Sequence, residues 1–414
     1  MKKSDEALLK IIIVIKLMPI VLKIVITTIE IWTPWAPDHR TTRGLEEATA
    51  AFERVHLGVE VVLKPGTSRD EFLVADFEIP ALAARELVQP LTPFLERDGY
   101  TADDFFPAGW MQVRWREDTW ALPLTLDPNF ALLSNRRLLE EAGIPGDASP
   151  KTISELDEWI RRLTRFDEAG TAIQIGMAAW NNAWGQPNNL YTWGWAFGGE
   201  FYDPVTDTAT LDHPQVIAAL EWLADHHMRY RVALEGKDGY FVQRFIQEQE
   251  VMITTHAEVI GEIQRANPDI PLTLGMMPHH DEHGPENPAW VGGWNLAIAK
   301  GSKHPDLAWE LLKFLAADAQ GTGIFGVAAS QFPSYRYSEA YSVFLDDPIR
   351  RVFAQILETA QRVRPVTTET ETFNREIQQA VSQVLNGELP ARPALEDANR
   401  RVNQVLSEVR NARR

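Results

Sequence analysis

Strand and helix patterns alternate along the chain, and this alternation restricts the possible folds more than any other feature. Residues 28–32 have the β-branched and apolar residues of a strand. Apolar residues then recur at helical spacing from 45 to 55, and a second strand pattern follows at 59–63. A strand, a helix and a strand in this order form a parallel pair. The sequence therefore predicts an α/β protein.

The length of the chain predicts two lobes. A chain of 414 residues exceeds what one hydrophobic core usually serves. The alternation continues with a helix after Thr152, a helix after Pro305 and helical patterns up to the end of the chain. We therefore expect two α/β lobes that can bury a ligand between them.

The composition excludes several classes of function. Hydrophobic residues make up 45% and charged residues 24%, which is typical of a folded globular protein. The net charge of −18 makes nucleic acid and anionic lipid improbable partners. The absence of cysteine excludes disulfides, thiolate nucleophiles and thiolate metal sites. The 14 tryptophans instead indicate either a rigid core or a surface on which rings stack.

Residues 1–27 are a possible targeting segment. Two lysines precede apolar runs at 11–15 and 17–26, as in a secretory signal, but Lys16 and Lys23 interrupt the apolar stretch. These charges argue against a membrane-spanning helix, which needs about 20 mostly apolar residues. The segment is consistent with export, as an atypical targeting segment, but does not establish it.

Several segments resemble one family in the order in which that family has them. Residues 291–315 carry a glycine pair, a strand, a lysine turn and a helix, and residues 120–127, 133–135 and 141–145 match the first passage between lobes. In these segments the chain is similar to the carbohydrate-binding branch of extracellular solute-binding proteins, the group that includes maltose-binding protein. The resemblance extends from residue 28 to the end of the chain.

This resemblance implies a type II periplasmic-binding-protein fold, with two doubly wound lobes joined by a three-segment hinge. The first lobe would contain residues 28–126 and 276–329. The second would contain 127–275 and 330–414. The hinge passages are expected near residues 125–129, 275–278 and 329–333. The chain departs from the family between residues 63 and 87, where a helix and much of a strand are missing after Leu73.

Sugars offer apolar C–H faces and a ring of hydroxyls, so their receptors combine aromatic rings with carboxylates and amides. Trp35 follows the first strand, at the end of a parallel strand where ligands commonly bind. Trp184 lies in an indole-rich and asparagine-rich loop. Gly292 and Gly293 permit close approach of the backbone to a ligand. One of the two indoles that flank them, Trp290 and Trp294, is expected to face the cleft.

The remaining candidates depend on position in the family pattern. The candidate ligand contacts are Trp35, Asp38, Asp76, Glu78, Asp127, Trp184, Asn188, Tyr191, Glu258, Trp290, Gly292, Gly293, Trp294 and Arg336. Each has a second interpretation. Asp38, Asp76 and Glu78 are also consistent with solvated loop charges, Asp127 with a hydrogen bond in the hinge, and the aromatic residues with core packing.

The resemblance implies an extracytoplasmic receptor, in the periplasm or on the outer face of the cell membrane, that delivers a mono- or oligosaccharide to the membrane permease subunits of an ATP-binding-cassette importer. We expect a monomer without a cofactor. The histidine-rich run 279–283 is typical of a solvated loop, so no functional metal site is expected. No carboxylate pair, phosphate-binding loop or zinc-protease motif indicates an enzyme. A carbohydrate-active enzyme, a receptor for glycerol phosphate, a polyol or a compatible solute, and a sensory receptor remain alternatives.

Overall fold

Strands and helices alternate through the computed structural model, which describes residues 26–65, 73–75, 78–170, 172–180, 186–234 and 241–412. The strands are β1 (Thr27–Thr33), β2 (Val59–Pro65), β3 (Leu73–Ala75), β4 (Arg114–Trp115), β5 (Asp118–Thr119), β6 (Leu122–Asn129), β7 (Ala131–Asn135), β8 (Arg165–Phe166), β9 (Ala172–Gln174), β10 (Tyr202–Asp203), β11 (Thr208–Ala209), β12 (Met252–Thr255), β13 (Leu272–Met276), β14 (Trp290–Leu296) and β15 (Phe332–Pro333). The helices are α1 (Arg40–Val55), α2 (Ile79–Ala84), α3 (Thr92–Asp98), α4 (Pro107–Val113), α5 (Arg136–Glu141), α6 (Ile153–Leu163), α7 (Gln186–Ala196), α8 (Pro214–Leu234), α9 (Phe241–Ile246), α10 (Ala257–Ala266), α11 (Pro305–Ala317), α12 (Ala319–Ala329), α13 (Ala340–Phe344), α14 (Pro348–Thr359), α15 (Thr370–Leu385) and α16 (Ala391–Ala412).

The first strand, helix and strand form the predicted parallel unit. β1 and β2 pair in parallel along their whole length. Helix α1 joins them and buries Leu45, Ala48 and Phe52 on one face. Burying such side chains stabilises the fold by about 1.5–3 kcal/mol for each large one. The βαβ prediction for residues 28–63 is confirmed.

The structure has two larger sheets, and the chain passes from one to the other. One has the strand order β15-β6-β14-β3 and the other β12-β7-β13. Strand β6 ends at Asn129 and β7 begins at Ala131, so the chain crosses from one sheet to the other at Phe130. It crosses back between β13 and β14. The α/β architecture with two lobes agrees with the prediction.

Strand β15 lies where the third passage is expected, near residues 329–333. Strand β15 still pairs with β6, with Phe332 opposite Leu126 and Pro333 opposite Thr125. The helices that follow it, α13 and α14, pack beneath both sheets, and only α15 and α16 join the second lobe's core. The limits of the two lobes remain predictions.

Three clusters of buried side chains follow this division. The first-lobe cluster includes Phe52, Leu124, Leu296, Trp309 and Phe325. The second-lobe cluster includes Leu132, Ile160, Trp193, Leu220 and Ile377. A third cluster includes Leu126 from β6, Leu133 from β7 and Phe353 from α14, so it lies beneath the junction of the two sheets. Each lobe therefore has its own core, and the junction has another.

The region that departs from the family, between residues 63 and 87, contains a short strand and a short helix among its described residues. The three-residue strand β3 pairs antiparallel with β14, and the six-residue helix α2 follows it. Strands β1 and β2 form a two-stranded sheet that is separate from the four-stranded sheet. Residues 1–25, which include nearly all of the possible targeting segment, lie outside the described residues. Across the described part of the chain, no helix combines the length and apolar character needed to cross a membrane.

Candidate ligand-binding site

Trp35 and Trp294 form an aromatic pair at the carboxyl end of β1. Their ring centroids are 4.6 Å apart at an interplanar angle of 63°, and both side chains are half-buried. The Trp35 ring also stacks on His39, with centroids 5.5 Å apart. The Trp35 amide donates a hydrogen bond to Thr33 Oγ1 at 3.3 Å, which holds the loop after the strand. This pair presents indole surface beside the glycines of β14.

The two glycines of β14 have different environments. A Cβ atom on Gly293 would lie 2.1 Å from the carbonyl oxygen of Thr125 on the neighbouring strand. A Cβ atom on Gly292 would lie 3.3 Å from Asn129 Nδ2 and 3.5 Å from Arg364 Nη2. The sheet therefore requires glycine at 293, and a side chain at 292 would be crowded by Asn129, Trp290 and Arg364.

Trp290 and Tyr191 lie in the second-lobe core. Trp290 is 2% exposed, and its Nε1 donates a hydrogen bond to Thr192 Oγ1 at 3.0 Å. Tyr191 is fully buried and stacks on Trp195 with centroids 5.3 Å apart. Of the two indoles that flank the glycines, Trp294 is thus the accessible one. Trp290 and Tyr191 pack in the core, and we do not propose them as ligand contacts.

Asp127 lies at the junction of the lobes. It is half-buried, faces Gly292 across the β6–β14 pair, and its carbonyl oxygen accepts a hydrogen bond from Asn129 Nδ2 at 2.8 Å. It lines a pocket of about 20 Å³ together with Arg40 from the first lobe, Ser330 from the turn after α12 and His256 from the turn after β12. Such a volume holds about one water molecule. The position is consistent with both interpretations of Asp127, as a ligand contact and as a hinge residue.

Three other candidates are polar residues at or near the surface. Asp38 is exposed in the loop before α1, and Glu78 is exposed directly before α2. Asn188 is half-buried in the first turn of α7, where its carbonyl oxygen accepts a hydrogen bond from Thr192 Oγ1 at 2.7 Å.

The Arg336 side chain contacts residues other than the Trp35–Trp294 pair. Its Nε donates to the carbonyl oxygen of Phe105 at 2.9 Å, its Nη1 donates to Glu358 at 3.0 Å, and its guanidinium lies 4.7 Å from the ring centroid of Phe106. It lines a cavity of about 540 Å³ beside α4, and neither Trp35 nor Trp294 is among the residues that line this cavity. It is therefore not part of an arginine cluster at that pair, which a phosphate-bearing ligand would favour.

Some candidates cannot be placed. Asp76 and Trp184 lie outside the described residues. Glu258 is the second residue of α10, but its side chain is not among those described. Within the described residues no group of three or more histidine, aspartate or glutamate side chains could hold a metal ion.

The sequence did not indicate a further cavity, of about 870 Å³, between the lobes. From the first lobe it is lined by residues of α4 and of the β4–β5 hairpin, among them Trp110, Arg114 and Arg116. The second lobe contributes Trp195, Glu200 and residues 361–368. No described candidate contact lines it. Its only local signals in the sequence are arginines spaced two apart, at 114 and 116 and at 362 and 364.

A comparison of the sequence with family profiles decides the family. The profile described as bacterial extracellular solute-binding protein matches residues 37–322, which is well over half of the chain. The chain belongs to this family.

One curated relative of this solute-binding protein is the maltotriose-binding protein of Pyrococcus abyssi. The two are 24% identical over 273 residues, and the match covers 63% of this chain. It covers 54% of the relative, so the chain spans about half the length of the curated relative that it matches.

Solved structures agree on the fold. The sugar-binding protein MalE from Xanthomonas citri has a TM-score of 0.76 and 17% sequence identity, with 93% of this chain and 98% of that chain covered. The maltose/maltodextrin-binding domain MalE from Bdellovibrio bacteriovorus, bound to maltotriose, has a TM-score of 0.69 and 18% identity, with 92% and 100% covered. At such identities the likeness establishes the two-lobed fold alone.

Proposed function

We propose that this protein is the extracytoplasmic receptor of an ATP-binding-cassette importer, which binds a neutral mono- or oligosaccharide between its lobes and delivers it to membrane permease subunits. Membership of the extracellular solute-binding family supports a receptor outside the cytoplasm. The names of the relatives support a sugar as ligand, because a maltotriose-binding protein and a maltotriose-bound domain are among them.

The observation that carries the proposal is the half-buried Trp35–Trp294 pair beside Gly292. Two indoles in edge-to-face contact form a rigid corner on which the C–H faces of a pyranose can stack. Asp127 lies opposite Gly292 on the neighbouring strand, and its carboxylate would offer acceptors to hydroxyls. Together these contacts favour a polyhydroxylated ring, because a hydroxyl buried without a hydrogen-bond partner costs free energy.

A thermal-shift screen across neutral mono- and oligosaccharides tests the proposal. A ligand that binds only the native state raises the melting temperature, and this rise grows with the ratio of ligand concentration to Kd. We expect at least one saccharide to raise it, and we expect glycerol phosphate and simple polyols to have no effect. A shift with glycerol phosphate alone would favour that alternative.

We expect the bound saccharide to remain chemically unchanged, because no carboxylate pair in the sequence indicates a glycosidase. Chromatography of the sugar after prolonged incubation with the protein measures this. Cleavage beyond one product molecule per protein would identify a carbohydrate-active enzyme.

Stimulation of the importer's ATPase by the sugar-loaded protein tests delivery. A signal to a membrane sensor without uptake of the sugar would favour the sensory alternative.

A further inference from the structure

His39 lies where the loop that carries Trp35 ends and helix α1 begins. Its backbone is extended, with φ −70° and ψ 141°, and its Nδ1 accepts a hydrogen bond from the Thr41 amide at 3.2 Å. Histidine is not among the residues that usually cap a helix, which are serine, threonine, asparagine and aspartate. The cap alone therefore does not explain why an imidazole occupies this position.

The His39 ring lies parallel to the Trp35 indole, with centroids 5.5 Å apart and an interplanar angle of 2°. The bond to Thr41 fixes the rotation of the imidazole, because Nδ1 must point at the amide that donates to it. Helix α1 is packed on the first-lobe core through Leu45 and Phe52. The imidazole is thus attached to a rigid element and presents one face to the indole.

The backbone and the side chain of Trp35 are held by different contacts. The Ala36 carbonyl accepts hydrogen bonds from the His39 amide at 3.0 Å and from Thr42 Oγ1 at 2.9 Å, so the loop is tied to the start of α1. The indole contacts two rings, parallel to His39 and edge-to-face with Trp294. Ordering a mobile side chain when a ligand binds costs free energy, and an indole that is already ordered avoids this cost.

We propose that His39 is a positioning residue for ligand binding, which holds the Trp35 indole in one orientation before a sugar arrives. The proposal rests on the proposed function, because it assigns Trp35 to the saccharide site. The cap and the stack are two roles of one side chain: the bond to Thr41 orients the imidazole, and the imidazole orients the indole. Asparagine at this position keeps the cap and loses the ring, whereas phenylalanine keeps the ring and loses the cap.

Calorimetric titration with maltotriose, together with thermal melting, separates the two roles. His39→Asn should melt as the wild type does and bind about two- to tenfold more weakly, because the indole must then be ordered when the sugar binds. His39→Phe should melt at a lower temperature and keep the wild-type affinity. The matched control Thr152→Ala removes the cap of α6 and should lower the melting temperature without changing the affinity.

A double-mutant cycle tests whether His39 acts through Trp35. Adding His39→Asn to Trp35→Ala should weaken binding no further than Trp35→Ala alone, because the indole that His39 positions is gone. A loss by the same factor in both backgrounds would show that His39 acts independently of Trp35 and would overturn the proposal. Wild-type affinity in His39→Asn would overturn it as well.

Near-ultraviolet circular dichroism of the ligand-free protein reports on the stack without any sugar. His39→Asn should change the tryptophan signal in the wild-type background and leave it unchanged in the Trp35→Ala background. Identical spectra of His39→Asn and the wild type would contradict the stack. If maltotriose and the other neutral saccharides fail to bind while this coupling is present, the proposed function fails and the ordering of Trp35 by His39 stands.

Discussion

At the scale of single residues, the two tryptophans of β14 have different surroundings although they lie four residues apart on the same strand. Trp290 is enclosed by Phe130 and Trp195 and bonded to Thr192. Trp294 is half-buried and contacts Trp35. Replacing each in turn should therefore separate ligand binding from stability.

Trp294→Ala should weaken binding of a neutral oligosaccharide by about 1–3 kcal/mol, because truncation of an aromatic anchor commonly costs that much. Its melting temperature should fall by less than truncation of a fully buried tryptophan would cause, because the Trp294 side chain is only half-buried against the first-lobe core. The matched variant Trp290→Phe should instead lower the free energy of unfolding by about 1–3 kcal/mol, since it removes a buried hydrogen bond. Calorimetry measures the affinity and thermal melting the stability. Unchanged affinity in Trp294→Ala would remove this residue from the site.

The sequence predicted that one of these two indoles faces the cleft, but it could not indicate which. They are separated by an even number of positions along one strand, so the pleat places both side chains on the same face of the sheet. The side chains that bury Trp290 come from α7 and from the junction at Phe130, far away in the sequence. Local patterns contain no information about such contacts. Tyr191 differs in part, because its stacking partner Trp195 lies four residues further along the same helix, where helical spacing predicts a contact, whereas its other neighbour, Phe201, lies beyond the helix.

At the scale of elements, a buried ion pair holds the segment that follows β9. Glu250 accepts a hydrogen bond from the amide of Ala178 at 2.8 Å and another from Arg244 Nε at 3.0 Å. The Glu250 side chain is 1% exposed and that of Arg244 is 12% exposed. Burial raises the pKa of Glu250, because it disfavours the charged carboxylate, while the charge of Arg244 acts in the opposite direction. The pair links α9 and β12 to the chain that leads into the indole-rich loop.

Arg244→Leu should lower the free energy of unfolding by about 3–5 kcal/mol at neutral pH, because it leaves a buried carboxylate without its partner. The double variant Arg244→Leu/Glu250→Leu should be less destabilised than the single one. A carboxyl whose pKa is raised in the folded state stabilises below its unfolded pKa, and this contribution is lost as the pH rises through the folded pKa. The single variant should therefore recover stability towards acidic pH. Urea unfolding from pH 4 to 8 measures both effects, and a double variant less stable than the single one would contradict them.

Elements with regular periodicity could be predicted, whereas the irregular ones could not. The apolar spacing of residues 45–55 and 307–315 predicted helices that the structure has as α1 and α11. The capping position Thr152 also begins α6, where its hydroxyl accepts a hydrogen bond from the Glu155 amide at 3.3 Å. Residues 361–368 are different, because they form neither a helix nor a strand. Their place in the cavity between the lobes depends on contacts with distant segments.

At the scale of the whole molecule, the chain passes between the two sheets at one edge. Strands β6 and β7 are separated by Phe130 alone, and β13 and β14 return the chain to the first sheet. The cluster beneath this junction contains Leu126 and Leu133, one from each sheet. The lobes are thus tethered on one side and have separate cores, which is the arrangement that permits hinge rotation without unfolding.

Ligand should close the lobes about this junction. Trp35 and Trp294 belong to the first lobe, whereas Asn188 belongs to α7 of the second, so a sugar gains contacts on both sides only when the lobes approach. Ligand then favours the closed form by its difference in affinity for the two states. We expect small-angle scattering to give a smaller radius of gyration when a confirmed saccharide saturates the protein, together with a change in tryptophan emission. Trp294→Ala at the same ligand concentration should keep the larger radius, because its weakened binding leaves the open form populated. An unchanged radius and unchanged emission in the saturated wild-type protein would show that the sugar binds without hinge closure.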